Sequence, residues 1–194
     1  MSNVRPHLVR PHALVIGGTG MLLHASMAIA NSSEVFTAVA KSSESLGSLA
    51  QALGQSRGAA RHYLRLNWDQ PTEFLSALSS HVERVGQPSL VLAWLHDMEL
   101  GPPVAHAVSG KGSRCEFFQV LGSDAASPRS GAAVLREEVG PRNSYHQVVL
   151  GFIREGGVSR WLSDDEISAG VLEAIALRQP IYTVGTIKPW EERP

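Results

Sequence analysis

Short apolar runs alternate along the chain with longer stretches whose apolar positions recur every three or four residues, and glycine, proline or serine marks the joins. A continuous apolar run of a few residues suits a buried parallel strand, and the three-four repeat suits a helix with one face on a core. The first pair is a strand over 13–16 and a helix over 21–30, divided by Gly17, Gly18, Thr19 and Gly20. Asn31, Ser32 and Ser33 read as a turn, 35–40 as strand two, and 44–55 as a helix ending near Gly58. Strand three falls at 61–66. A helix over Pro71–Val85 starts at a proline and stops at Gly86. Strand four takes 89–95, Gly101-Pro102-Pro103 breaks the chain, and a short helix takes 104–108. Strand five is Cys115–Leu121, then a loop over 125–131 and one or two helical turns over 132–139.

From Tyr145 the pattern changes. Residues 145–154 read as one strand, Glu155-Gly156-Gly157 as a turn and 158–162 as a returning strand, which makes a hairpin. Ser163 with Glu166 three residues on is a capping box, and Ile167, Val171, Ala174 and Ile175 then face the core. Pro180 ends that helix, and 181–187 is a final strand. Residues 188–194 read as a surface tail anchored by Trp190, and 1–11 as a loose leading tail. Strands that alternate with helices imply an α/β fold. The expected form is a doubly wound, mostly parallel Rossmann sheet with helices on both faces. A hairpin, helix and strand extend it within a single domain, 1–194.

In such a sheet ligands sit at the carboxyl ends of the strands. Strand, glycine turn and helix, in that order, bring free amides and a positive dipole end to one point, which suits a phosphate. The expected cofactor-binding turn is Gly17, Gly18, Thr19 and Gly20, continued by Met21 and Leu22; Leu23 stands where a third glycine would let helix and strand approach. No Gly-Lys-Ser/Thr follows, which excludes a Walker loop. At the tip of strand two an acid would favour NAD and a cation with hydroxyls would favour NADP. Lys41, Ser42 and Ser43 stand there, so NADP(H) is favoured over NAD(H), and the absent acid also counts against S-adenosylmethionine. Ser42 or Ser43 is equally placed to cap the next helix. Asp69 follows strand three as an acceptor for an adenine amino group, with Trp68 as a wall. Trp94 and His96 end strand four beside the expected cofactor.

Composition narrows the partners. The 194 residues are 43% hydrophobic and 18% charged with a net charge of −1, so no global field draws in nucleic acid or an anionic membrane. No segment is apolar over membrane-spanning length, and residues 1–10 lack the apolar core of a signal peptide. The single cysteine, Cys115, fits a reducing, cytoplasmic setting and reads as buried and inert. Eight histidines show no His-Glu-x-x-His spacing; they read as scattered over the surface, and no metal is expected. The expected partners are a small-molecule substrate or none, and further copies of the chain.

The run Val15-Ile-Gly-Gly-Thr-Gly-Met-Leu, with the strand and helix around it, resembles the short-chain dehydrogenase/reductase superfamily. The segments 93–96 and 118–123 are compatible with it. The runs 160–171 and 184–194 are similar to a small, divergent bacterial branch, and the likeness covers nearly the whole chain. It implies a nicotinamide-nucleotide site at the glycine turn, the phosphate choice at Lys41 and Ser42, the adenine contact at Asp69 and a catalytic serine at Ser123. The superfamily's proton donor is a tyrosine with a lysine four residues later. Here Tyr63 is followed four on by Asn67, Tyr145 by Val149 and Tyr182 by Thr186, so that dyad is absent. Two functions follow. One is a reductase or dehydrogenase acting on a small carbonyl or hydroxyl compound, with its proton donor among Tyr145, His146, His96 and Ser123. The other is a non-catalytic NADP(H)-binding redox sensor or partner-binding module.

Overall fold

The structure is a computed structural model and describes residues 10–54, 59–109, 114–127, 131–139 and 143–194. Nine strands and six helices follow in chain order among them: β1 Arg10–Ile16, α1 Leu23–Asn31, β2 Ser33–Ala40, α2 Ser43–Leu53, β3 Ala60–Arg65, α3 Pro71–Val85, β4 Leu90–Trp94, α4 Gly101–Val108, β5 Cys115–Leu121, α5 Ala132–Glu138, β6 Asn143–Leu150, β7 Phe152–Glu155, β8 Val158–Trp161, α6 Asp164–Leu177 and β9 Ile181–Val184. Seven strands form one parallel sheet in the order β3-β2-β1-β4-β5-β6-β9. One core layer joins Val15, Leu22, Ile29, Leu49, Phe118 and Val171 on one face of the sheet. The other joins Leu14, Ile16, Phe74, Leu78, Val104 and Phe117 on the opposite face. A strand covered on both faces has no polar side, which is why residues 13–16 of β1 and 90–94 of β4 are wholly apolar, and β5 is largely so apart from Glu116 and Gln119.

Several boundaries differ from those read in the sequence, each for a local reason. β1 takes in Arg10 and Pro11, assigned above to the leading tail, and α2 stops at Leu53, closed by Gly54 at φ +58°, short of the end near Gly58 read above; residues 1–9 and 55–58 lie outside the described residues. Ser33 joins β2, and its hydroxyl donates to the Ile29 carbonyl rather than serving a wider turn. Pro102 and Pro103 occupy the first turn of α4, where a missing N–H costs nothing, so they open a helix instead of breaking the chain. The run over 145–154 is two strands: β6 stays in the main sheet, and β7 leaves it to pair antiparallel with β8. The split falls at Gly151, where an added Cβ would lie 2.1 Å from the Thr186 carbonyl oxygen; Phe152 and Thr186 exchange both backbone hydrogen bonds at 2.8 Å. The capping box is formed as expected, Ser163 accepting from the Glu166 amide and Glu166 from the Ser163 amide. Arg160 also holds the Glu166 carboxylate, and with the Ser163 amide it brings that carboxyl down to about 2.

The histidines are not all at the surface. His12 and His81 are buried, joined through Thr37 near the amino end of the sheet. One pattern of hydrogens satisfies the chain of contacts. His12 Nδ1–H donates to the Gly86 carbonyl at 2.7 Å and its Nε2 accepts from the Thr37 hydroxyl at 3.0 Å. Thr37 Oγ1 accepts from His81 Nε2–H at 2.9 Å, and His81 Nδ1 accepts from Arg84 at 3.3 Å. Both imidazoles are neutral in that pattern. Burial lowers both pKa values, that of His81 to about 4, with His62, His12 and Arg84 adding repulsion there. Cys115 is buried as expected, its thiol pushed up to about 12 by burial and then by Glu116.

The carboxyl ends of β1 and β4 meet in a close backbone contact. Gly17 has φ +72° and donates its amide to Val39 at 2.9 Å; a Cβ on it would lie 2.3 Å from the Trp94 carbonyl oxygen. Gly17→Ala therefore meets a left-handed φ and a backbone clash together, and urea unfolding is expected to give a loss of about 2–4 kcal/mol. The histidine chain gives a pH signature. Below the unfolded value of 6.5 an unfolded chain takes up protons that His81 refuses until about pH 4. The stability owed to the neutral network is complete above about pH 6.5 and is lost as the pH falls toward 4, on the order of 2 kcal/mol. Thermal melts from pH 7.5 to 4.5 are expected to fall across that window, and His81→Gln is expected to start lower and fall less.

Candidate functional site

The strand order reverses between β1 and β4: β2 and β3 lie on one side of that pair, and β5, β6 and β9 on the other. A crevice opens at the carboxyl ends there, because the connections leave in opposite directions. The glycine turn lines one side of it. Gly17 and Gly18 are glycines for internal reasons: a Cβ on Gly18 would lie 2.3 Å from both Ser26 Oγ and Val15 Cγ1. The sequence reading passed over Ser26, which is buried in α1 and donates to the Gly18 carbonyl at 2.7 Å. Its signal was a hydroxyl on a helix face otherwise filled by Leu22, Ala25 and Ile29.

Gly20 differs from the other two. It is exposed, and a Cβ placed on it would meet nothing within 4 Å. Among the described residues the amides of Thr19, Met21 and Leu22 have no hydrogen-bond partner, and no side chain caps the start of α1. Unpaired donors facing open space at a helix start fit a diphosphate. The Leu22 side chain is wholly buried, so only its backbone is offered. Ser168 of α6 donates to the Met21 carbonyl at 3.1 Å and ties the turn to the second half of the sheet.

At the tips of β2 and β3 the structure brings Lys41 and Asp69 together. Lys41 Nζ bonds both carboxylate oxygens at 2.7 Å and lies 4.8 Å from the centre of the Trp68 ring. Trp68 is buried against Phe74, so it supports Lys41 from below. Ser42 is the N-cap of α2, accepting from the Ser45 amide at 3.3 Å; Ser43 is exposed in the first turn. A hollow of about 530 Å³ beside Lys41 and Asp69 is also lined by Arg65 and Asn67.

A second opening lies over β4 and β5. A cleft of about 530 Å³ is walled by Trp94, Leu95, Met98, Leu121 and Trp190, with His96 and Asp124 as polar groups. His96 is exposed, its ring 6.0 Å from that of Trp94. Ser123 is nearly buried between Gly122 and Asp124, both of which line the cleft. The other two candidate proton donors lie elsewhere. Tyr145 and His146 pair with Phe117 and Phe118, well before the strand tips at Leu121 and Val149. The Tyr145 hydroxyl donates to Gln119 at 2.5 Å. His146 is buried between the Gln179 carbonyl at 2.9 Å and Glu116 at 2.8 Å. Trp190, read as the anchor of a surface tail, is instead a wall of the cleft.

No family model matches the chain, and no curated protein matches it. Solved structures do. A bulky-bulky ketone specific alcohol dehydrogenase from Comamonas testosteroni aligns with TM-score 0.70 and 12% identity, over 93% of this chain and 88% of that one. A short-chain dehydrogenase from Sphingobium yanoikuyae in complex with NADPH aligns with TM-score 0.66 and 15% identity, over 93% and 91%. A putative D-mannonate oxidoreductase from Haemophilus influenza with bound NAD aligns with TM-score 0.62 and 11% identity, over 90% and 93%. The chain has the fold of the short-chain dehydrogenases over almost its whole length.

Proposed function

We propose that this chain is an NADP(H)-dependent oxidoreductase that interconverts a small carbonyl compound and its alcohol. The observation that carries the proposal is the set of unpaired amides at Thr19, Met21 and Leu22, open over Gly20 at the carboxyl end of β1, where the strand order reverses, with an aromatic-walled cleft over the neighbouring strands β4 and β5. One of the similar structures holds NADPH and another NAD, which supports a nicotinamide nucleotide here. The glycine turn would hold its diphosphate. Lys41 would hold a 2′-phosphate, with Asp69 giving way to it. The bound nucleotide would supply or accept a hydride. Trp94, Leu95 and Trp190 would exclude water and orient an apolar substrate.

The remaining step is a proton to the carbonyl oxygen, and the cleft offers His96 for it. An imidazole gives and takes a proton near neutral pH, and the His96 ring stands free beside Trp94. Ser123 is placed to donate a hydrogen bond at the tip of β5. The commitment of Tyr145 to Gln119 and of His146 to Glu116 keeps both out of this role. The same observation favours the second reading, a sensor that binds the nucleotide and turns nothing over. Exposed Leu177 and Ile181 at the outer edge of the sheet support an oligomer.

Thermal shift separates the nucleotides. NADPH at a hundred times its dissociation constant is expected to stabilise the protein by about 2.7 kcal/mol, a rise of several degrees. NADH at the same concentration is expected to give less, and the absence of any shift with all four nucleotides ends the proposal. Lys41→Ala is expected to weaken NADPH roughly ten-fold and NADH little. Asp69→Asn is expected to tighten NADPH a few-fold, because the lysine no longer has a resident carboxylate. With turnover over a panel of aromatic and branched ketones and aldehydes, His96→Ala is expected to lower kcat at least ten-fold with nucleotide affinity unchanged. Tight NADPH binding with no turnover of the panel supports the sensor instead.

A further inference from the structure

The segment after β9 returns to the cleft and places a cation on the tip of β5. Glu192 pairs with Arg154 of the β7–β8 hairpin, and a single helical turn over Trp190–Glu192 carries Arg193 inward. The Arg193 guanidinium carbon lies 4.6 Å from the centre of the Trp190 ring and 6.0 Å from that of Trp161. Its Nη1 donates to the Asp124 carboxylate and to Ser123 Oγ at 3.3 Å. A guanidinium has no acceptor to offer in return. The Ser123 oxygen is thus occupied as an acceptor by Arg193. Among the described residues its own hydrogen has no partner. Gly122 on one side of Ser123 and Asp124 on the other both line the cleft.

We propose that Arg193 is the positioning residue of Ser123. It fixes the hydroxyl as a one-way donor toward a carbonyl oxygen in the cleft and places a positive charge behind it. This rests on the oxidoreductase reading above. In reduction a hydride joins the carbonyl carbon, the π pair moves onto oxygen, and that oxygen takes a proton and becomes the alcohol. The charge that builds on the oxygen is met by the Ser123 O–H, polarised by the guanidinium. The proton comes from His96, so atoms and electrons balance with the nucleotide as the only redox partner. A donor preorganised behind low-dielectric walls stabilises the transition state more than the bound ketone. Trp190, Trp161 and Asp124 hold the guanidinium in place, and the chain supplies by this route a cation that no lysine provides.

A double-mutant cycle tests the proposal. NADPH binding is titrated first by its fluorescence on wild type, Arg193→Met, Ser123→Ala and the double variant, with circular dichroism as the check on folding. Failure of wild type to bind NADPH removes the nucleotide reading itself. With binding intact, the proposal expects Arg193→Met to lower kcat roughly ten- to hundred-fold on the carbonyl panel, with the dissociation constant of NADPH within two-fold of wild type. Ser123→Ala is expected to lose about as much, and the double variant no more than either, because Arg193 acts through Ser123. Guanidinium chloride at millimolar concentration is expected to restore part of the rate to Arg193→Ala and none to Ser123→Ala. Multiplicative losses in the double variant overturn the proposal. So does a kcat within two-fold of wild type in Arg193→Met, or an Arg193→Ala rate unmoved by guanidinium. NADPH binding with no turnover by wild type overturns it as well, and leaves the nucleotide site standing.

Discussion

The Trp94 carbonyl oxygen lies where a side chain on residue 17 would have to be. That contact seats the end of β1 against the end of β4, and the rest of the carboxyl edge follows from it. With Gly17 turned to positive φ, the chain can climb over the sheet edge and enter α1 with its first amides unspent. Gly18, locked by Ser26, fixes the direction of the climb. The same two strands are where the winding of the sheet reverses. One backbone approach thereby places the unpaired amides of the turn and the Trp94 wall of the cleft within a single frame.

The parts of the fold legible in the sequence were those with a local cause. The Cys115–Leu121 strand is a largely apolar run rich in residues that favour strands, and the helix Pro71–Val85 is bounded by a proline that suits a first turn and a glycine that stops it. The Ser163 capping box is a four-residue signal that closes on itself. What escaped was set by partners distant in sequence. The break at Gly151 exists because a carbonyl at Thr186 comes to rest against it. The burial of His12 and His81 depends on Thr37 lying between them across two elements, and no spacing along the chain announces it. Tyr145 and His146 read as the first residues of a strand and as candidate proton donors; the pairing with β5 instead buries them two residues into β6, away from the strand tips. Trp190 and Arg193 had the composition of a solvated tail, and only the fold brings them over Ser123.

The two ends of the sheet solve opposite problems. At the amino end one set of buried polar groups is matched within itself: His12, Thr37 and His81 share hydrogens in a single consistent order that leaves no proton to spare. A matched neutral network of that kind costs little and fixes geometry, but it cannot move charge. At the carboxyl end, donors are left unmatched on purpose of access, at Thr19, Met21, Leu22 and Ser123. The three amides flank Gly20, which is exposed and has nothing within 4 Å of where a Cβ would stand, so water can reach that turn.

Two cations at the carboxyl edge come with a carboxylate already attached, Lys41 with Asp69 and Arg193 with Asp124. The consequences differ because the surroundings differ. Lys41 and Asp69 are open to solvent, where an ion pair contributes about 1 kcal/mol or less, so a phosphate carrying more charge can take the lysine at little cost. Arg193 lies between two indole rings and is less exposed than Lys41. Its guanidinium also has further N–H groups to offer once Asp124 is satisfied. Asp124 therefore aims Arg193 without consuming it, whereas Asp69 occupies Lys41 until a ligand replaces it. On the proposed reading the first pair is a latch that nucleotide binding would exchange, and the second holds the tip of β5.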